Sequence, residues 1–321
     1  MSEVLLEVKG LKQHYSIDQG WLKEKKYVKA VDGIDFKVIK GETFSLVGES
    51  GCGKSSTGRT ILRLNEATDG EIIFEGQNIV ELSYRKMRKF RKKMQMIFQD
   101  PFASLNPKKT VRQILMEPLR VHNYYSAEER LNKVIKILEI VGLSQYHLDR
   151  YPHEFSGGQR QRIGIAKAAI LNPELIIADE PVSALDVSIQ SQVINLLLKL
   201  QEELGLTYIF ISHDLGVVRH ISDRVAVMYL GKIVEISNTE ELYNNPLHPY
   251  TKALMSSVPI DHPEEVKERI ILTGDVPNAV NPPSGCAFHP RCPFAMDICK
   301  NVNPVPTENP NGHTVSCHLY E

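Results

Sequence analysis

The sequence predicts an α/β chain: strands and helices alternate around a glycine-rich loop, a helical block is inserted between them, and a small extension follows at the C-terminus. Three observations carry this. A compact apolar strand, Thr43 to Val47, runs directly into glycines. A second apolar strand, Leu175 to Ala178, ends in the carboxylates Asp179 and Glu180. After Leu242 the composition shifts, with 12 of the 18 prolines from Pro246 onward.

The elements follow in order. Val4 to Lys9 alternates as a strand does, and Ala30 to Ile39 reads as another. Thr43 to Val47 is followed by a helix over Ser55 to Leu64, then by a short strand over Glu71 to Phe74 with a turn at Glu75 and Gly76. From about Tyr84 to Leu171 the pattern is mostly helical. Leu131, Val134, Ile135, Leu138 and Val141 recur at helical spacing, with Gly142 as a stop. Strand texture returns at Leu175 to Ala178 and Thr207 to Ser212, separated by an amphipathic helix from Ile189 to Leu204. Arg224 to Met228 and Lys232 to Glu235 read as a hairpin around Gly231.

Composition narrows the function classes. A chain of 321 residues has room for two domains. Its 42% hydrophobic and 24% charged residues are ordinary for a soluble globular protein. A net charge of −1 argues against binding nucleic acid by bulk electrostatics. Arg85 to Lys93 holds seven basic residues in nine, which reads as a solvated helical face. No apolar stretch is long enough to span a bilayer, and Met1, Ser2 and Glu3 do not open a secretory leader. The expectation is a cytosolic chain that meets a membrane through partner chains.

Gly48, Glu49, Ser50, Gly51, Cys52, Gly53, Lys54 and Ser55 fit G-x-x-x-x-G-K-[ST] at each fixed position, between a strand and a helix as that motif requires. Glycines let several N–H groups face one point, and the following helix adds its positive dipole end. Lys54 is expected on the outer phosphates and Ser55 on Mg²⁺, with Ser56 beside them. Asp179 is expected to hold Mg²⁺ through water, and Glu180 to polarise the attacking water. Lys54 and Asp179 stand 125 residues apart, more than a compact nucleotide core needs, so the helical block reads as an insertion. At its end, Ser156 caps a helix opened by Gly157, Gly158 and Gln159, a second helix start suited to an anion.

Together these motifs resemble the ATP-binding subunits of ABC transporters over about residues 4 to 240. The resemblance implies a P-loop NTPase (ABC ATPase) core over 1–245 with a helical subdomain at about 84–171. Phe155 to Gln159 resembles the family's signature, with phenylalanine where leucine is usual. It also implies that Gln99 links Mg²⁺ to the helical subdomain and that Ser183 to Asp186 cross to the opposite subunit. His213 is then expected on the terminal phosphate, and Tyr15 on the adenine, with Trp21 and Tyr27 as rival aromatics. ATP would lie between two subunits, the phosphate loop of one facing the signature of the other.

The tail over 246–321 carries Cys286, Cys292, Cys299 and Cys317, spaced x5, x6 and x17. In a cytosolic chain four clustered cysteines suggest a metal staple before disulfides, and His289, His313 and His318 leave a mixed Cys/His zinc site open. Asn245 to Thr251 and Gly285 to Pro293 resemble the C-terminal extension of oligopeptide and dipeptide importer ATPases. That resemblance implies a [4Fe–4S] cluster on Cys286, Cys292, Cys299 and Cys317, with zinc as the alternative. It further implies two membrane-embedded permease subunits, a second and preferably different ATPase subunit, an extracytoplasmic substrate-binding protein acting indirectly, and a place on the cytoplasmic face of the membrane. Two other readings are a related importer for nickel or another small cargo, and a soluble ABC ATPase acting on DNA or RNA. The latter calls for coiled-coil arms or two cassettes in one chain, which the sequence does not contain.

Overall fold

The structure, a computed structural model, describes residues 3–17, 25–122, 125–258 and 269–321. It divides into two compact units, one of Met1–Ile39, Thr43–Glu81 and Ser212–Glu321, the other of Lys40–Glu42 and Leu82–Ile211.

The first unit holds an antiparallel sheet in the order Lys26–Ile39, Val4–Ile17, Asp69–Phe74, Gln77–Asn78. The first two strands are longer than their alternation suggests, at 14 residues each. The pairing register shifts between Val8 and Leu11, where Gly10 takes φ +53°, so the apolar phase slips there and the period-2 pattern stops short. Thr43–Val47, with all five residues buried, runs parallel to Arg224–Tyr229. Burial on both faces explains its unbroken apolar run. Arg224–Tyr229 turns at Gly231 into Lys232–Asn238, as the hairpin reading expected.

Lys232–Asn238 pairs in turn with Thr314–Val315, and that strand with Thr307–Glu308. The proline-rich tail thus adds strands to a sheet of the first unit. It also supplies core. Phe288 is 1% exposed, and its ring centroid lies 5.2 Å from that of Tyr229 and 5.4 Å from that of Tyr250. Glu235, 1% exposed, ties the tail down further. Its carboxylate accepts from Leu247 N at 2.7 Å and His248 N at 2.9 Å, and His313 Nε2 lies 2.7 Å away. Burial pushes the His248 imidazole down to about 4, so it stays neutral and accepts from Tyr250 N through Nδ1, capping the helix Pro249–Ser256.

The second unit holds three parallel strands, Met94–Ile97, Leu175–Asp179 and Thr207–Ile211, with Leu175–Asp179 in the middle. The block read as mostly helical therefore also contains a strand. Its four residues were too few to stand out against the helices around them. Those helices are Tyr84–Arg91, Pro101–Ser104, Val111–Val121, Ala127–Ile140 and Gly157–Ala169. Capping boxes at Thr110/Gln113 and Ser126/Glu129 start two of them. The basic run lies largely on Tyr84–Arg91, whose one buried side chain is Met87. Val187–Leu204 ends at Gly205 with φ +64°. Among the described residues no helix is long and apolar enough to cross a membrane.

Glu235→Ala leaves two amides and a histidine buried without their acceptor. It is expected to lower the stability of the full chain by about 3 kcal/mol in urea unfolding. A change below ~0.5 kcal/mol would show that the carboxylate does not anchor the tail.

Candidate functional site

In the first unit, Val47 delivers the chain to a loop that only glycine backbone permits at two points. Gly48 has φ +149° and Gly53 φ +110°. A Cβ on Gly48 would stand 2.2 Å from Met228 O, and one on Gly53 2.0 Å from Ala30 O. Gly231 N closes the far side by donating to Cys52 O at 2.8 Å. The helix Lys54–Ile61 starts from Gly53, which has no side chain to cap it, so no side-chain oxygen covers the N–H groups of the first turn.

Lys54 is 4% exposed, and its ammonium donates to Gly48 O at 2.8 Å and Glu49 O at 3.0 Å, with Cys52 Sγ at 3.7 Å. It thus arches over its own loop, a full charge at the mouth of the helix dipole. Burial pushes the Cys52 thiol up, while the neighbouring Lys54 charge pulls it down. Ser55 and Ser56 are half-buried in the helix's first turn, and Ser50 and Gly51 are exposed at the loop tip. His213 is exposed just before Asp214, whose Oδ1 caps the following helix by accepting from Gly216 N at 2.9 Å and Val217 N at 3.1 Å. Tyr15 is 36% exposed on the antiparallel sheet, its hydroxyl accepting from Asn65 Nδ2 at 2.8 Å. Tyr27 is 48% exposed, and Trp21 lies outside the described residues.

In the second unit Asp179 ends its strand fully buried, at 0% exposed. Glu180 follows with φ +47°, a left-handed conformation that costs a residue with a side chain on the order of 1 kcal/mol. It is held by Glu180 N donating to Ile211 O at 2.9 Å and by Ser183 Oγ donating to Glu180 O at 3.1 Å. Gln99 Nε2 donates to Glu180 Oε2 at 2.8 Å. The structure thus brings together Gln99 and Glu180, which the sequence reading treated separately. Gln190 braces the 182–185 loop by donating to Val182 O at 3.1 Å and Leu185 O at 3.0 Å.

Ser156 caps Gly157–Ala169, and its partner in a capping box is Gln159: Ser156 N donates to Gln159 Oε1 at 3.1 Å, Gln159 N to Ser156 Oγ at 3.4 Å. A Cβ on Gly158 would meet Ile189 Cγ2 at 2.6 Å, whereas one on Gly157 would meet Leu185 Cδ2 at an ordinary 3.7 Å. Close helix packing therefore requires the second glycine and not the first.

Cys286, Cys292, Cys299 and Cys317 are free thiols in the first unit. Each lies within the electrostatic field of others in the set, and burial pushes the thiols of Cys286, Cys292 and Cys317 up. The backbone N–H groups of Phe288, Phe294 and Leu319, each two residues beyond its cysteine, favour the thiolates of those three, and Met296 N donates to Cys299 Sγ at 3.5 Å. The three tail histidines make contacts of their own. His289 Nδ1 lies 2.9 Å from Cys286 O, and His313 is buried against Glu235. Both ring nitrogens of His318 are used, Nδ1 at 2.6 Å from Glu321 Oε2 and Nε2 at 2.9 Å from Val302 O. Among the described residues no group of three or more His, Cys, Asp and Glu side chains is gathered as a metal site requires.

Sequence reasoning missed Arg291, Tyr250 and Asn65 as neighbours of site residues. Each contacts its partner across 50 or more positions of chain, and no local pattern marks such a pair.

Residues 31–183 match the family model described as ABC transporter, and residues 234–299 match the one described as oligopeptide/dipeptide transporter, C-terminal region. The chain is 60% identical over 322 residues to the oligopeptide transport ATP-binding protein AppF of Bacillus subtilis, covering 99% of this chain and 98% of that protein. It is 50% identical over 313 residues to the dipeptide transport ATP-binding protein DppF of Haemophilus influenzae, covering 98% and 96%. Among solved structures, a dimeric post-hydrolysis state of the ATP-binding cassette MJ0796 bound to ADP and Pi matches with a TM-score of 0.65 at 29% identity, covering 73% of this chain and 99% of that one.

Gly53→Ala forces a Cβ into the Ala30 carbonyl, whereas Gly51→Ala meets nothing within 4 Å and carries only the strain of φ +79°. The expected cost in urea unfolding is above ~2 kcal/mol for the first and about 1 kcal/mol for the second. Equal costs would remove the close-approach account of the loop.

Proposed function

Because the chain belongs to the ATP-binding subunits of the oligopeptide/dipeptide ABC transporters, we propose that its phosphate loop and its acidic strand end act on Mg-ATP to drive peptide import. The observation that carries the reading is the joint presence, in one chain, of an ABC transporter match and a peptide-transporter C-terminal match. The chain is an ATPase that powers transport through membrane permease subunits. It works as one of two ATPase subunits, for which a related partner rather than a second copy is the reading favoured here. Peptides reach the permeases from an extracytoplasmic binding protein, and the ATPase pair sits on the cytoplasmic face of the membrane.

Roles follow from chemistry. The amides of Gly51 to Ser56 and the Lys54 ammonium hold the phosphates, and Ser50 and Cys52 lend main chain to the loop. Lys54 exchanges its loop carbonyls for phosphate oxygens, a gain because charge-assisted bonds to an anion are stronger than those to a neutral carbonyl. The Ser55 hydroxyl, the Gln99 amide and, through water, Asp179 would each be a ligand for Mg²⁺, which would offset the charge of the phosphates. Glu180 takes the proton of the attacking water, and its strained backbone, braced by Ile211 and Ser183, keeps that carboxylate at one place. Gln99 Nε2 donates to the Glu180 carboxylate and so helps to position it. His213 contacts the terminal phosphate, and Tyr15 stacks on the adenine. Ser156, Gly157, Gly158 and Gln159 face the nucleotide of the opposite subunit, where the helix N-terminus favours its negative charge. Loss of the terminal phosphate removes the bridge and lets the dimer open.

The tail thiolates of Cys286, Cys292, Cys299 and Cys317 are proposed to hold a [4Fe–4S] cluster. The spacing of the four cysteines and the backbone N–H groups that favour their thiolates support this, since such groups stabilise thiolates. When bound the cluster supplies four covalent cross-links and a one-electron centre. The cysteines must lose their protons to bind it, against the upward push of burial.

Glu180→Gln is expected to bind ATP normally and to hydrolyse it about 10²–10⁴-fold more slowly in single-turnover assays with the reconstituted transporter. Near-normal turnover would remove Glu180 from the role of base. Purified without oxygen, the chain is expected to be brown with iron and sulfide near four each per chain. A colourless product holding zinc would overturn the cluster assignment.

A further inference from the structure

Glu49 occupies a variable position of the phosphate loop, where no fixed requirement of the motif explains a carboxylate. Each of its polar groups is engaged within the first unit. Its N–H donates to the Tyr250 hydroxyl at 2.9 Å. Its carbonyl accepts from Lys54 Nζ at 3.0 Å. Its carboxylate receives both arms of Arg291, NH1 to Oε2 at 2.8 Å and NH2 to Oε1 at 3.1 Å. The pair is fork to fork and poorly solvated, with the Arg291 side chain 7% exposed and the Glu49 side chain 28%.

The guanidinium is delivered by structure. Arg291 closes the turn His289–Arg291, its N–H donating to Phe288 O at 3.0 Å. Phe288 is packed against Tyr229 and Tyr250, and the Tyr229 ring centroid lies 6.0 Å from the guanidinium carbon. A segment 242 positions away in sequence therefore reaches a single residue of the phosphate loop.

Consider the loop without it. A free Glu49 carboxylate would stand on the same residue whose carbonyl already receives the Lys54 ammonium. A carboxylate is a stronger acceptor than a carbonyl, so it would compete with a nucleotide for that charge. It would also place a negative group beside the incoming phosphates.

We propose that Arg291 is a positioning residue for nucleotide binding: it withholds the Glu49 carboxylate from Lys54 and cancels its charge in the phosphate loop. The proposal rests on the reading of Gly48 to Ser55 as the nucleotide site and adds to it a requirement for a residue of the C-terminal extension. A merely structural cross-link makes the opposite forecast, since it would suffer equally from loss of either partner.

The test measures equilibrium binding of a fluorescent ATP analogue to the full chain, with thermal unfolding followed in parallel. Arg291→Met is expected to weaken binding about tenfold, the effect of losing roughly one charge-assisted interaction. Glu49→Gln, which has no charge to withhold, is expected to bind at least as tightly as the unsubstituted chain. The double variant is expected to match Glu49→Gln, and Arg291→Lys to keep most of the affinity. The proposal is overturned if Glu49→Gln binds as weakly as Arg291→Met, or if the double variant shows no recovery. Should Arg291→Met fail to fold, Glu49→Gln alone still decides: retained binding supports the proposal and weakened binding overturns it. Lys54→Ala separates the two layers, because unchanged binding there would sink the nucleotide-site reading itself, whatever the Arg291 variants do.

Discussion

Two carbonyl oxygens set the shape of the phosphate loop. Met228 O and Ala30 O stand where side chains at Gly48 and Gly53 would have to go, so the loop closes against neighbouring backbone at van der Waals distance. That approach places the start of the Lys54–Ile61 helix, and with it the dipole end and the lysine charge on which the proposed anion binding depends. The strands that carry those carbonyls are paired, and that of Met228 is buried, so the loop inherits their rigidity.

A second layer of support comes from the far end of the chain. The extension is fastened at three kinds of contact within the first unit: strand pairing of Thr314–Val315 on Lys232–Asn238, the buried carboxylate of Glu235, and the aromatic cluster of Tyr229, Tyr250 and Phe288. The first gives direction, the second satisfies polar groups that burial would otherwise penalise, and the third supplies apolar area. With those in place, a tyrosine hydroxyl and a guanidinium can be held against one residue of the phosphate loop. In the second unit, the acidic strand end shows a comparable economy. Glu180 is kept in a left-handed backbone by hydrogen bonds to a neighbouring strand and to its own loop, while Gln99 reaches across from another element to hold its carboxylate.

Much of the site was legible in the residues. The phosphate loop, the acidic strand end and the capped helix after Ser156 each announce themselves by local chemistry at fixed spacing, and the structure finds each on the expected kind of element. The full lengths of the first two strands were not legible, because the register slip near Gly10 breaks the alternation that marks a strand. The strand Met94–Ile97 was hidden by its brevity. The apolar contribution of the tail was hidden because its few aromatic residues are scattered among prolines and meet only when the chain is folded.

The sequence by itself determined the local features: where the backbone must be glycine, where a helix begins, and which strands are buried on both faces. These depend on φ, on capping and on periodicity, all properties of a few neighbouring residues. Only the tertiary structure decided which distant groups meet, among them Arg291 with Glu49, Gln99 with Glu180, and His313 with Glu235. A charge pair is worth its desolvation only when packing brings both partners to one place, and no pattern along a single segment encodes that meeting.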